Sequence, residues 1–412
     1  MKTKRFSILL FAFTCMASAY GQDISGTWLG NLKAGVTELA IVFHINGNVC
    51  TLDSPDQGAK GIATNTKYLS ADSINVEIPS IGGSYAGKLV GDSIKGQFSQ
   101  MGYTFPLNLK MGDIVRTRPQ TPHEPYPYAT EEVIFHNTAD NASLAGTITY
   151  PIGFEKMKNV PVVLMVTGSG LQNRDEEVFE HKPFLVIADY LARHGIATLR
   201  YDDRGFGKST GDVENATTED FMRDASAGIE FLKKMKKFGR VGVLGHSEGG
   251  QIAFMLGKKG NVDFIVSMAG PGIKGDSIIV EQNKAIMKQN GMTGDMSVKQ
   301  FREIIKTKET NPWYRHFLDY DPSDDITSTR CPVMAINGSL DTQVTAASNL
   351  MTIKRLLPTN KSNLIKEYAG LNHLFQHCTT GAVDEYAKSE ETISPEVLAD
   401  IATWINSLNV KK

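Results

Sequence analysis

The chain has 412 residues, 43 Lys and Arg against 45 Asp and Glu, 41% hydrophobic and 21% charged residues, and a formal net charge of −2. These ordinary values exclude a disordered, collagenous or coiled-coil chain, and without a broad basic surplus no field exists to hold a nucleic-acid backbone. The length allows two or three domains, and four cysteines are too few for a disulfide scaffold.

In chain order the first residues are expected to lie outside the fold. Lys2, Lys4 and Arg5 precede an almost purely apolar run from Ile8 to Phe13, and Ala17-Ser18-Ala19 and Gly21 supply small residues for cleavage. Residues 1–21 are expected to be a signal peptide cut after Ala19 or Gly21, which sends the protein to the periplasm or the medium. The apolar run is too short to span a bilayer. Phe13 and Thr14 are poor neighbours for a lipobox at Cys15. After cleavage the side-chain charge is −5, and Cys50, Cys331 and Cys378 remain. An odd number allows at most one bridge; Cys331 with Cys378 is the pair to examine, and buried thiols are the alternative.

Residues 22–115 alternate short β-rich runs with turn residues. Ser73-Ile74-Asn75-Val76-Glu77-Ile78 and Ser93-Ile94-Lys95-Gly96-Gln97-Phe98 alternate with period two, and Asn46-Gly47-Asn48, Gly82-Gly83 and Gly91-Asp92 mark turns. The expectation is a small all-β domain, barrel or sandwich, of about eight strands. Its opening Ile24-Ser25-Gly26-Thr27-Trp28-Leu29-Gly30 resembles the first strand of lipocalin-like domains, which implies a barrel but no particular ligand. Residues 116–128 hold Pro119, Pro122, Pro125 and Pro127 and are expected to be an extended linker.

From 129 to 412 strands and helices alternate. Strands are expected at Val160–Val166, Ile196–Tyr201, Val241–Leu244, Phe264–Met268, Val333–Ile336 and Leu364–Tyr368. Helices are expected at Lys182–His194, Thr218–Met235, Gly249–Leu256 and Pro395–Leu408. Repeated βα units mean a mostly parallel sheet covered on both faces. The stretch from about 272 to 325 breaks this rhythm and is expected to be an inserted helical cap.

Two stretches match G-x-S-x-G, around Ser209 and around Ser247. A nucleophile elbow needs a strand running straight into a strained turn and then a helix. Ser247 follows Val241-Gly242-Val243-Leu244 directly and precedes a good helix start, so it is the expected nucleophile; Ser209 lacks both flanks and is expected to be a loop hydroxyl. Gly207-Lys208-Ser209 does not make a phosphate loop, because Asp202 stands where the Walker pattern needs glycine. A serine needs a base, and the base an orienting acid. His373 follows the last expected strand and the turn Ala369-Gly370-Leu371-Asn372, ahead of the alternatives His377 and His316. Asp341 follows a buried strand and a glycine turn, ahead of Asp319, Asp321, Asp324 and Asp325. The oxyanion needs backbone donors: the amide of Glu248, and that of Ser169, with Gly170 as second choice. Arg174 and Asn173 are candidate substrate contacts, with a loop-fixing ion pair the alternative for Arg174.

These residues carry a resemblance. Gly168-Ser169-Gly170 with Asn173-Arg174-Asp175, the stretch Asp202 to Ser209, Gly245-His246-Ser247-Glu248-Gly249-Gly250, Gly338-Ser339-Leu340-Asp341 and Leu371-Asn372-His373-Leu374-Phe375-Gln376 resemble, in order, the α/β-hydrolase superfamily. Within it the chain resembles secreted bacterial carboxylesterases of the serine aminopeptidase-like and dienelactone hydrolase-like groups. The resemblance implies an α/β fold, a Ser-His-Asp triad and a structural role for the Asp202–Ser209 stretch. Thr167 departs from it, since many relatives carry His there. The β domain falls outside it.

Three functions compete at this level. The first is a secreted serine hydrolase cleaving small carboxylic esters through an acyl-enzyme, without cofactor or metal. The second is a peptidase or amidase of the same mechanism, with Glu248 or cap acids reading a peptide terminus. The third is an envelope glycan- or lipid-binding protein with a secondary hydrolase domain, for which Trp28 and Tyr103 are the aromatics to examine.

Overall fold

Strict alternation writes the N-terminal sheet. In Ser73–Ile78, Ile74, Val76 and Ile78 are buried while the residues between them are half-exposed. The computed structural model describes residues 24–35, 37–70, 72–289, 291–305 and 311–408, so the expected signal peptide and Cys15 lie outside the described residues. The chain divides into two units, one ending at Val115 and one beginning at Arg116.

Among the described residues the first unit has ten strands, against about eight expected: β1 (Gly26–Ala34), β2 (Thr37–Asn46), β3 (Val49–Ser54), β4 (Ala59–Ala63), β5 (Asn65–Leu69), β6 (Ser73–Ile78), β7 (Gly83–Val90), β8 (Ser93–Gln100), β9 (Tyr103–Pro106) and β10 (Leu109–Met111). They pair antiparallel in the order β4-β3-β2-β1-β10-β8-β7-β6-β5, with β9 on β8. The two ends of this order, β4 and β5, are separated in the chain by Thr64 alone. The sheet must therefore curl until its edges approach, the barrel-like solution to exposed edges. Its core includes Trp28, Phe43, Leu52, Tyr85 and Phe98. Trp28 is 2% exposed and donates its indole N–H to Ile24 O at 2.8 Å, so it is no glycan platform; Tyr103 is 69% exposed.

The second unit is built on eight strands: β11 (Thr130–Asn137), β12 (Ala142–Thr149), β13 (Val162–Val166), β14 (Ala197–Tyr201), β15 (Val241–His246), β16 (Ile265–Met268), β17 (Val333–Gly338) and β18 (Leu364–Tyr368). Their order is β11-β12-β14-β13-β15-β16-β17-β18, parallel from β14 to β18 and antiparallel at β11 and β12. The helices are α1 (Pro183–Arg193), α2 (Thr218–Met235), α3 (Glu248–Lys259), α4 (Gly275–Gln289), α5 (Val298–Ile305), α6 (Pro312–Asp319), α7 (Ser323–Ser328), α8 (Asn349–Leu356), α9 (Val383–Tyr386) and α10 (Pro395–Ser407). Strand β13 shows why both faces need covering. Val162, Leu164 and Val166 enter the core with residues of α2 and α3, while Val163 and Met165 enter the core with residues of α1 and α10. Helices α4 to α7 fill the interval expected to be a cap, and α4 to α6 share a small core of Ile278, Phe301, Phe317 and Leu318.

Residues 116–128, expected as a linker, are held to the second unit. The Arg118 guanidinium donates to the carbonyls of Phe179 and Ala387, both at 2.9 Å, and Ser389 at 2.7 Å. Gln120 donates to Ile393 O at 2.7 Å. Cys50, Cys331 and Cys378 are free thiols, so the Cys331–Cys378 bridge is absent; burial pushes Cys50 and Cys331 up to about 11. Among the described residues no helix is long and apolar enough to cross a membrane.

Separate cores predict separability. A chain beginning at Arg116 should be soluble and melt cooperatively by circular dichroism, whereas one beginning at Ala129 should melt lower because it lacks the Arg118 and Gln120 contacts. An insoluble Arg116 fragment would mean that the units share a core.

His181 gives a pH test. Its buried ring lies between Thr392 Oγ1 at 2.9 Å and Tyr386 O at 3.0 Å, and burial lowers its pKa to about 4. The unfolded chain protonates this ring near roughly 6.5. The folded state refuses that proton, so the stability it confers is full above the unfolded value and is lost as pH falls toward the folded one. The Tm advantage of wild type over His181→Gln should be constant above that unfolded value and shrink steadily as pH falls toward the folded value of about 4. An advantage independent of pH would show that the ring titrates alike in both states.

Candidate active site

The site begins with a steric problem. Ser247 sits between β15 and α3 with φ 53° and ψ −119°, a left-handed conformation that costs a non-glycine residue about 1–3 kcal/mol. Its amide donates to Met268 O at 2.9 Å. A Cβ at Gly245 would stand 1.9 Å from Gly249 O, and one at Gly249 2.1 Å from Val166 O. Glycine two residues either side of the serine is therefore required by backbone contact. The second match to the pattern is different. Ser209 Oγ accepts from Ala145 N at 2.9 Å and donates to Asp202 O at 2.7 Å, a buried tie between loop and strand.

Asp341 lies three residues beyond β17, its side chain fully buried. Oδ1 accepts from the amides of Gln343 at 2.8 Å and Val344 at 2.9 Å, and Oδ2 stands 2.7 Å from His373 Nδ1. With the carboxylate accepting, Nδ1 carries the ring proton and Nε2 is left as the acceptor. The two loops are zipped together: Leu340 N donates to Leu371 O at 2.9 Å and Gly370 N to Ser339 Oγ at 2.9 Å. Asn372 stiffens the histidine loop by accepting from Leu374 N at 2.9 Å and Gln376 N at 3.0 Å. The competitors are placed elsewhere. His377 is exposed and paired with Glu391 at 2.8 Å, and His316, in α6, has its ring tilted against that of Tyr320 with centroids 5.4 Å apart. Asp319 pairs with Arg302 at 2.9 Å, Asp324 with Lys258 at 2.6 Å, and Asp325 with Lys258 at 3.1 Å.

Ser247 and His373 line one cavity of about 390 Å³ with Ser169. Its apolar wall comes from the cap, through Ile278, Trp313 and Phe317, and from Phe179, Leu374 and Tyr386. Glu248 is the first residue of α3, so its amide is one of the orphan donors of that helix N-terminus. Its buried carboxylate turns away, accepting from Thr218 Oγ1 at 2.6 Å and from the indole N–H of Trp313 at 2.9 Å. Ser169 reaches the cavity; Gly170, the second choice, is exposed and does not line it. The loop is tied at both ends by Asp203, which lies 3.0 Å from Thr167 Oγ1 and accepts from Gln172 N at 2.8 Å. Burial pushes the Asp203 carboxyl up to about 8. Thr167, the departure from the resembling family, thus anchors the loop through its hydroxyl.

Arg174 and Asn173, the candidate substrate contacts, do not line this cavity. Arg174 donates to Asp202 Oδ2 at 2.9 Å, Glu132 Oε2 at 2.8 Å and Thr147 Oγ1 at 2.6 Å, all partners that pull it toward the neighbouring strands. Asn173 uses its side chain within the loop, accepting from Asp175 N at 3.0 Å. Arg204 is likewise structural, donating to Asp224 at 2.6 Å. Sequence reasoning passed over Glu176 and Trp313, and considered His246 only as a possible metal ligand; all three line the cavity. Their pairing across long separations leaves no local signal. Among the described residues no group of three or more His, Cys, Asp and Glu could hold a metal ion.

Residues 181–354 match the family model described as Serine aminopeptidase, S33. Esterase EstD of Thermotoga maritima is 27% identical over 274 residues, covering 64% of this chain and 65% of that protein, just under two thirds of the relative's length. Among solved structures, an esterase of Pyrococcus furiosus, Pf2001, is similar at TM-score 0.47 and 19% identity over 72% of this chain and 99% of its own. Est1E from Butyrivibrio proteoclasticus is similar at TM-score 0.46 and 13% identity over 68% of this chain and 99% of its own. By its strand order, the strained serine between β15 and α3 and the match over residues 181–354, the second unit has an α/β-hydrolase fold.

Proposed function

We propose that the protein is an exported serine carboxylesterase, with Ser247 as nucleophile, His373 as base and Asp341 as orienting acid. The observation that carries this reading is the 2.7 Å pairing of His373 with a fully buried Asp341, on the wall of a cavity that Ser247 shares. Attack of Ser247 Oγ on the ester carbonyl passes its proton to His373 Nε2. The tetrahedral oxyanion is met by the amides of Glu248 and Ser169. Collapse expels the alcohol, which takes its proton from His373, and leaves an acyl-serine. Water then repeats the sequence and releases the acid.

Cavity chemistry favours a neutral ester with an apolar acyl group over a peptide amino terminus. Glu176 is the only carboxylate among the lining residues, and it already accepts from Gly168 N and faces His246. Glu248, considered above as a reader of a peptide terminus, is committed to Thr218 and Trp313. Among the described residues no free anion is left there for a substrate ammonium. Trp313 sits on the apolar wall and bonds the residue whose amide meets the oxyanion, so the cap and the reacting centre are one assembly. The charge pattern of residues 1–21 supports export.

Steady-state assays on p-nitrophenyl esters of graded chain length and on aminoacyl p-nitroanilides test this. Ester turnover should exceed anilide turnover, and Ser247→Ala should abolish it. His373→Ala and Asp341→Asn should each lower kcat on the order of 10³-fold or more. Ser209→Ala should keep its turnover while losing about 1–3 kcal/mol of stability, because Ala145 N loses its acceptor. An Asp341→Asn enzyme at wild-type rate would remove the acid, and preference for anilides would favour the peptidase.

A further inference from the structure

A second charged pair lies beside the first. Glu176 and His246 side chains are only 4% and 8% exposed, and neither has a part in the proton transfers above. Glu176 Oε1 accepts from Gly168 N at 2.9 Å and stands 3.0 Å from His246 Nδ1. The other ring nitrogen, His246 Nε2, stands 2.9 Å from the carbonyl oxygen of His373. A carbonyl can only accept, and an ionised Glu176 carboxylate also only accepts; opposite that pair both ring nitrogens donate, which is the hydrogen bonding of an imidazolium. Burial opposes that charge, but the Glu176 carboxylate beside it outweighs the penalty and raises the His246 pKa.

We propose that Glu176 and His246 form a buried ion pair that positions the oxyanion loop, the nucleophile and the base relative to one another. The inference rests on the serine esterase reading and deepens it. Each contact joins a different part of the site. Gly168 immediately precedes Ser169, the second oxyanion donor. His246 immediately precedes Ser247. The carbonyl bonded by His246 belongs to His373 itself, whose ring packs 4.7 Å from that of His246. One carboxylate and one ring therefore fix three main-chain segments that come from β13, β15 and the loop after β18. Glu176 is itself held at φ 52°, a left-handed conformation that a non-glycine side chain keeps where the surroundings over-determine it. These are positioning residues: they act through Ser169, Ser247 and His373. Misplacement of such groups by about 1 Å costs on the order of 10²-fold in rate.

The test uses polar variants, since Glu176→Leu strips two buried donors of their acceptor and endangers folding. His246→Asn retains a donor in the place of Nδ1 and severs the link to His373. His246→Gln retains one in the place of Nε2 and severs the link to Glu176. Glu176→Gln keeps an acceptor for Gly168 and removes the charge. Each should lower kcat between about tenfold and 10²-fold with KM within about threefold, and Glu176→Gln/His246→Gln should be little worse than either single variant, since the pair acts as a unit. Independently of folding, the ¹⁵N-histidine spectrum of the wild-type protein at neutral pH should contain one exchange-protected ring with both nitrogens protonated. Wild-type kcat in all three single variants, or no such ring, would overturn the proposal. Ser247→Ala run alongside separates the failures: turnover that survives it removes the esterase reading, whereas its loss beside fully active pair variants removes only the positioning role.

Discussion

The active end of the molecule depends on one steric constraint, the turn that carries Ser247 from β15 into α3 at φ 53°. The turn exists only because Gly245 and Gly249 let main chains come closer than any Cβ would allow. Once it is made, the serine stands at the exit of the strand, the Glu248 amide is left free at the start of the helix, and the strand ends of β13, β17 and β18 bring their loops to the same edge. The strain of the turn is local; the cost is met by a sheet buried on both faces around it.

Two carboxylates then divide the work of holding the loops. Asp341 fixes the ring of His373, and Glu176 ties Gly168 to His246. Asp203 adds a third anchor, holding the loop from Thr167 to Gln172. Each carboxylate is buried and met by several donors, the condition under which a buried polar group gives rigidity rather than instability. The cap joins this frame through Trp313 on Glu248 and through Glu281, which accepts from Thr345 Oγ1 and Ser348 Oγ at 2.7 Å each, and it lines the cavity with Ile278, Gln282, Trp313 and Phe317.

The central strands were legible in the sequence because burial on both faces writes continuous apolar runs such as Val162–Val166. Helix α2 was legible to the residue, since Thr217 and Asp220 cap its first turn. Strands β11 and β12 were not. The edge strand β11 shows Glu131, Glu132 and His136 to solvent, and β12 sets Leu144 and Ile148 among Ala, Ser, Gly and Thr, so neither carries a clear period. The residues proposed as nucleophile, base and acid were chosen from local grammar, a strand followed by a turn of fixed composition. For Arg174 local grammar left substrate contact and a loop-fixing ion pair open, because its partners Glu132 and Asp202 lie 42 and 28 residues away in sequence. Glu176 and His246 meet across 70 residues, and no local pattern announces such a pair.

The central claim is that Ser247, and not the other serine in a matching pattern, attacks the carbonyl. Peptide mapping by mass spectrometry after reaction with a fluorophosphonate tests it most directly. The account predicts a single adduct, one per chain, on the tryptic peptide from Val241 to Lys258 with the added mass on Ser247. An adduct on Ser209, or turnover of esters by a protein that takes no adduct at all, would contradict it.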